Sequence, residues 1–300
     1  MNTVLLLTAT PAQAAPLMEL LARDEPGLRV ISGFERPDQA ALALVDIVLG
    51  WRLPKGMVER LPALRWVCCT AAGVDRLLVP ELPSTVPVSR VVDPDQALGM
   101  AQYVAAMVLR HGRGLGRYDQ QQLQRDWTRH PMAAARHTVA VLGWGEVGRE
   151  TGRVLQALGF TVRGWHRDGT PLAEVLADAQ VVVNTLPLTP QTEGLLDAQA
   201  LAALPRGAYL VNVARGGHVV EADLIAAVQS GHLSGAALDV QAREPLPADD
   251  PLWAVPGITI TPHIAAQPDH ATVAAQFLAN LRRWRSGQPL LNEVDRQRGY

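Results

Sequence analysis

The run His137-Thr138-Val139-Ala140-Val141-Leu142 passes without a break into Gly143-Trp144-Gly145-Glu146-Val147-Gly148. The first part has the β-branched, apolar character of a buried strand. After the glycines, Val147, Val154, Leu155 and Leu158 fall on one helical face until Gly159 closes the pattern. A second strand-like run occupies residues 160–165. A strand, a glycine-rich turn, a helix and a further strand form a βαβ unit, whose crossover makes the strands parallel. In that context each glycine has a task. Gly143 allows the tight turn, Gly145 lets backbone approach a pyrophosphate, and Gly148 lets the helix pack closely. The helix start offers the N–H groups of Glu146 and Val147 and a positive dipole end to phosphates.

The alternation continues on both sides. Strands are predicted at residues 181–184, 209–214, 236–240 and 258–261, with a helix at 222–228 capped by Gly231. Upstream, short apolar runs at 4–7, 30–31, 47–49, 66–67 and 86–88 predict a smaller parallel α/β unit. Met100, Tyr103, Val104, Met107, Val108 and Leu115 have the spacing of one long helix leading into the second domain. Val273, Phe277, Leu278 and Leu281 predict a last helix returning to the first. A length of 300 residues with 48% hydrophobic content favours two domains. They are placed at 1–97 with 268–300, and at 98–267.

Composition removes several function classes. A net charge of −2 with scattered arginines gives no basis for nucleic-acid or membrane-surface binding, and no metal site is expected. Cys68 and Cys69 are adjacent and cannot comfortably bridge each other. They read as thiols of a reducing, cytoplasmic compartment. The apolar opening at residues 1–7 lacks the lysine or arginine of a secretory leader. Lys55 is the only lysine, which removes P-loops and Tyr-x-x-x-Lys chemistry together.

The end of the second strand of the glycine-rich unit selects the dinucleotide. An NAD site usually places an acid there for the ribose 2′-hydroxyl. This chain reads Gly164-Trp165-His166-Arg167-Asp168. Arg167 suits a 2′-phosphate, so NADPH is expected over NADH; Asp168 keeps NADH open.

Three ionisable residues each follow a strand-like run: Arg215 in Val213-Ala214-Arg215-Gly216-Gly217, Glu244 before Pro245, and His263 after Thr261-Pro262. Ligands in open α/β sheets bind outside the carboxyl ends of strands. A guanidinium fork fits a carboxylate. An imidazole exchanges protons near neutrality. A carboxylate on its far nitrogen fixes the tautomer and favours the charged ring, raising its pKa. Together with a hydride source, the set reads as a site for a 2-oxo or 2-hydroxy acid. Taken singly, each also reads as a surface or loop residue.

At these residues the chain resembles the D-isomer-specific 2-hydroxyacid dehydrogenase family over nearly its full length. The matching segments are the glycine-rich turn, Leu186-Pro187-Leu188-Thr189 with Thr192, residues 211–217, Leu238-Asp239-Val240 before Glu244-Pro245, and Thr261-Pro262-His263. The ending Val294-Asp295-Arg296-Gln297-Arg298-Gly299-Tyr300 is similar to the glyoxylate/hydroxypyruvate reductase A subgroup. The resemblance implies a Rossmann cofactor domain plus a flavodoxin-like substrate domain, both doubly wound parallel sheets, with an active-site cleft between them. It implies a homodimer and NADPH preference. It places Ala72 and Gly73 on the substrate carboxylate, and Trp51 and Met100 on the substrate side. It places His166, Leu186, Pro187, Thr192, Val213 and Ala265 at the cofactor, with Ala214 and Asp239 bordering the nicotinamide. The implied reaction reduces glyoxylate or hydroxypyruvate, with the proton from His263. A D-3-phosphoglycerate dehydrogenase would need cations such as Arg52 or Arg76 for its phosphate. A corepressor-like protein that senses NAD(P) could keep the same three residues. Trp144 in the turn departs from the usual pattern and has no explanation from sequence.

Overall fold

The computed structural model describes every residue except Met1, Ala9, Met132, Asp168 and Tyr300. Asp168, the residue that kept NADH open, and the terminal Tyr300 therefore lie outside the described residues. Backbone contacts divide the chain into two compact units, Met1–Asp93 with Gln267–Tyr300, and Pro94–Ala266.

The first unit runs β1 (Thr3–Leu7), α1 (Pro11–Asp24), β2 (Arg29–Ser32), α2 (Gln39–Leu42), β3 (Ile47–Gly50), β4 (Trp66–Cys69) and β5 (Val88–Ser89). All pairs are parallel, in the order β2-β1-β3-β4-β5, which is the flavodoxin-like order. Strand β1 is buried and hydrogen-bonded on both sides. Successive side chains on a strand face opposite ways. Val4 and Leu6 pack with Leu17 and Leu21 of α1, whereas Leu5 packs with Val48 and Val67. Thr10 caps α1 by accepting from the Gln13 N–H, and Pro11 fills its first turn.

The second unit opens with α3 (Pro94–Gly112) and α4 (Leu115–Gln124). It continues β6 (Thr138–Leu142), α5 (Glu146–Ala157), β7 (Thr161–Trp165), α6 (Leu172–Leu176), β8 (Val181–Asn184), α7 (Ala198–Ala202), β9 (Ala208–Asn212), α8 (Glu221–Gln229), β10 (Leu233–Leu238) and β11 (Ile258–Ile260). The sequence pattern joined Met100 to Leu115 in one helix; the backbone instead breaks after Gly112. Gly114 takes a left-handed φ of 59° and stands at the N-cap of α4. The chain then returns to the first unit as α9 (His270–Arg285), whose Phe277 stacks on Trp66 at 5.2 Å.

The second sheet is also parallel, in the order β11-β10-β9-β8-β6-β7. Its strand order reverses at β6, which makes the crevice beside β6 and β8 the switch point where a ligand binds. Register aligns the strand ends: Leu142 pairs with Trp165 and Asn184, Asn184 with Asn212, Asn212 with Leu238, and Leu238 with Ile260. The loops after all six strands therefore leave from one edge. At the opposite edge His111 stacks on Tyr209 at 4.1 Å. Burial pushes His111 down to about 4 and Tyr209 up to about 12, so both are neutral packing groups at working pH.

Candidate active site

The glycine-rich turn is built as its spacing implies. Gly143 has φ 92°, and a Cβ on Gly148 would collide with the Gly143 carbonyl oxygen. Only glycine permits that approach of helix to turn. Thr185 fastens the turn from β8, its single hydroxyl proton shared between the carbonyls of Gly143 at 2.7 Å and Leu142 at 2.9 Å. Gly145 precedes α5 with open space over its Cα and no side-chain cap on the helix. The first amides of α5, including those of Glu146 and Val147, are thus presented without a side chain over them, as a pyrophosphate requires. Trp144 is accounted for by packing. Its indole lies where a Cβ of Gly152 or Gly164 would stand, filling the gap between α5 and β7. No local pattern signals this, because both glycines are distant in sequence.

His166 and Arg167 follow β7 and are exposed. Leu186 and Pro187 follow β8, where Thr192 donates to the Pro187 carbonyl at 2.8 Å. Asn184 and Asn212, both fully buried, close β8 and β9. Asn184 donates to Asn212 at 3.0 Å, while Asn212 Oδ1 also accepts from the Ala214 N–H and Asn212 Nδ2 donates to the Arg215 carbonyl at 2.9 Å. This polar stitching fixes Val213 and Ala214, both buried, and sets the direction in which Arg215 leaves the sheet. Gly216 presses on the backbone of Gln241, where any side chain would clash, tying the Arg215 turn to the loop after β10.

That loop carries Glu244. His263 Nδ1 lies 3.2 Å from Glu244 Oε2, and the two side chains are 36% and 16% exposed. The pair is partly screened from water yet open to a small reactant. With Nδ1 donating to the carboxylate, the geometry turns Nε2 to the side away from Glu244 as the nitrogen that could take part in proton exchange. His263 itself has φ 55°. A non-glycine residue there costs of order 1–3 kcal/mol and persists only when its surroundings over-determine it.

Asp239 supplies that constraint. It is 1% exposed, and its carboxylate accepts from Thr261 Oγ1 at 2.6 Å and from the Ile264 and Ala265 N–H groups at 2.9 Å each. The His263 N–H donates to the Asp239 carbonyl at 2.8 Å. Thr261 spends its one proton on Asp239, so Tyr103 of α3 must be the donor in their 2.6 Å contact. Burial, reinforced by the Asp239 charge, raises the Tyr103 phenol and keeps that proton in place. The resemblance placed Asp239 beside the nicotinamide and not in this supporting role, and Thr261, Tyr103, Asn184 and Asn212 were missed as supports too. The two asparagines did leave a signal, a polar residue ending an otherwise apolar strand. Met100 lies on α3, packed against the core that Val104 and Val108 join.

In the first unit, the loop after β4 is tied down by its carbonyls. Val91 N–H donates to Ala71, Arg90 Nη1 to Ala72 at 3.4 Å, and Cys69 Sγ to Gly73 at 3.3 Å. Trp51 follows β3 and lies under the Arg76 guanidinium, 4.3 Å from its ring centre.

Comparison with known proteins agrees with this construction. Residues 105–265 match the family model described as D-isomer specific 2-hydroxyacid dehydrogenase, NAD binding domain. A glyoxylate/hydroxypyruvate reductase A from Yersinia enterocolitica is 38% identical over 276 residues, covering 85% of this chain and 88% of the relative. A crystal structure of a D-isomer specific 2-hydroxyacid dehydrogenase from Xanthobacter autotrophicus Py2, in complex with NADPH and MES, is 39% identical with a TM-score of 0.89; the match covers 100% of this chain and 99% of that one. An NADPH-dependent glyoxylate/hydroxypyruvate reductase from Sinorhizobium meliloti, in complex with NADP and sulfate, is 32% identical with a TM-score of 0.90 over the whole of both chains. This chain belongs to the D-isomer specific 2-hydroxyacid dehydrogenase family.

Proposed function

We propose that this chain is an NADPH-dependent reductase of small 2-oxo acids, converting glyoxylate to glycolate and hydroxypyruvate to D-glycerate. The observation that carries this reading is that Arg215, Glu244 and His263 follow three adjacent strands, β9, β10 and β11, with the Glu244–His263 contact already made. Residues 98–267 form the cofactor domain, and 1–97 with 268–300 the substrate domain. Arg215 holds the substrate carboxylate and steadies the charge that develops on the carbonyl oxygen. In the substrate domain, the Ala72 and Gly73 amides are the donors offered to an acid, with their loop oriented by the carbonyl contacts described above. When bound, the reduced nicotinamide supplies hydride to the carbonyl carbon. His263 delivers the proton from Nε2 to the oxygen, while Glu244 accepts from Nδ1 and holds the ring in the orientation that presents Nε2. Val213, Ala214, Asp239 and Ala265 frame the nicotinamide side, with Leu186, Pro187 and Thr192 along the cofactor.

NADPH oxidation is measured with glyoxylate, hydroxypyruvate and phosphohydroxypyruvate in parallel. Turnover of the first two is expected. Tight NADPH binding with no turnover of any of them would favour a cofactor-sensing protein instead. The phosphorylated substrate is disfavoured because Arg76, one of two cations suited to its phosphate, is engaged over Trp51.

Arg167 is assigned to the 2′-phosphate. Replacing it by alanine lowers kcat/KM with NADPH about 10- to 100-fold, the range of one charge-assisted contact, and leaves the NADH value unchanged. An equal fall with both cofactors would remove Arg167 from that role.

A cytoplasmic setting fits the two buried, unbridged cysteines, Cys68 and Cys69. A homodimer formed through α4 fits the apolar surface there: Leu115 and Leu123 are exposed, and Trp127 just beyond is 88% exposed. Buried aromatics dominate such interfaces at about 2 kcal/mol or more each. Trp127→Glu is therefore expected to shift the light-scattering mass from dimer to monomer at micromolar concentration. An intact dimer would place the interface elsewhere.

A further inference from the structure

Pro187, in the loop after β8, and Arg215, after β9, are joined by a side chain that neither the family pattern nor the reaction accounts for. His218 closes the short helical turn Gly216–His218 and is fully buried, at 0% exposure. Its Nδ1 lies 3.0 Å from the Arg215 carbonyl oxygen and its Nε2 lies 3.2 Å from the Pro187 carbonyl oxygen. Both partners are acceptors only. A neutral imidazole has one N–H and one lone pair, so in that form one nitrogen would turn its lone pair on a carbonyl oxygen with no water to intervene.

The remaining capacity of the two carbonyls is spoken for. The Arg215 oxygen also accepts from Asn212 Nδ2, and the Pro187 oxygen from Thr192 Oγ1. The Asn212 amide cannot be reversed, because its Oδ1 accepts from the backbone N–H of Ala214. The Arg215 oxygen also takes the His218 backbone N–H at 3.4 Å, so every other group on either oxygen is a donor and neither carbonyl offers the ring a proton. The charged residues nearest in sequence on the joined segments are Arg215 itself, Glu193 beyond the β8 loop, and Glu221 at the start of α8.

We propose that His218 is a positioning residue that donates from both ring nitrogens, clamping the turn that presents Arg215 to the loop that lines the cofactor. One nitrogen orients the carbonyl of the residue that holds the substrate; the other orients the Pro187 carbonyl on the dinucleotide side. The ring therefore couples the geometry of the two binding sites without touching either ligand. The kinetic consequence rests on the carboxylate role given above to Arg215; the ring protonation does not.

Two measurements test the clamp. In histidine labelled with ¹⁵N in the ring, the signals absent from His218→Gln are assigned to His218 by difference. Both nitrogens are expected to be protonated at the assay pH. A nitrogen with the shift of an unprotonated lone-pair site overturns the proposal, whatever Arg215 does. Glutamine reaches the Nε2 position and asparagine the Nδ1 position, each with a single donor. His218→Gln is expected to raise KM for the 2-oxo acid about tenfold with the NADPH KM near wild type. His218→Asn should do the reverse. Unchanged constants in both folded variants, or equal losses in both parameters, would also overturn it. Should Arg215→Lys prove kinetically silent, the function given to Arg215 fails, and the nitrogen spectrum still decides the clamp.

Discussion

Replacing His263 by asparagine is expected to lower kcat by about 10²- to 10⁴-fold, the range of general acid-base catalysis, with the NADPH dissociation constant unchanged. Asparagine is the better test than alanine because of the backbone. With φ at 55°, position 263 lies in the left-handed region that asparagine tolerates and alanine resists. His263→Ala should therefore lose kcat by a similar factor and lose thermal stability as well. Asp239 and Thr261 still hold the loop in either variant, since their bonds run to backbone amides and to each other rather than to the imidazole. The cofactor turn at Gly143 and Gly148 lies on β6 and α5 and is untouched. A fall in kcat with cofactor affinity preserved places the proton transfer on His263. Near-normal turnover in a folded His263→Asn would remove it from the chemistry.

The parts of this site legible in the sequence are those whose physics is local. The glycine-rich turn is written in consecutive residues, because a backbone that must approach a helix and a phosphate leaves no choice but glycine at 143 and 148. Arg215, Glu244 and His263 are legible as candidates because each follows a readable strand, and parallel sheets collect such ends on one edge. The supports were not legible, since each is a contact across the sheet. Trp144 has meaning only beside Gly152 and Gly164, and His218 only between the carbonyls of Pro187 and Arg215. The break between α3 and α4 was missed for a different reason. The apolar spacing from Met100 to Leu115 is helical throughout, and only the left-handed Gly114 interrupts it.

Arg215→Lys is expected to cut kcat/KM for glyoxylate about 100-fold, shared between a higher KM and a lower kcat. The charge survives, so the loss measures geometry. A guanidinium meets a carboxylate with two parallel N–H donors, whereas an ammonium is a point charge on a flexible stem. Losing one charge-assisted bond costs about 1.5–3 kcal/mol, and that accounts for the factor. The split between the two constants follows from what the arginine does in each state. In the proposed role, a grip on the carboxylate made equally in ground and transition state would set KM, while a charge placed beside the developing alkoxide would be felt only in the transition state and set kcat. The local structure makes the substitution a clean one. Asn212 and the Gly216–Gln241 contact hold the backbone of the turn, and the Arg215 carbonyl rather than its side chain takes those bonds. The Arg215 guanidinium does donate from Nη1 to the Ala214 carbonyl at 2.8 Å, a bond that a lysine reaching for the substrate gives up, and that adds to the KM side. Kinetics equal to wild type would leave Arg215 as a turn residue and require another cation to hold the carboxylate.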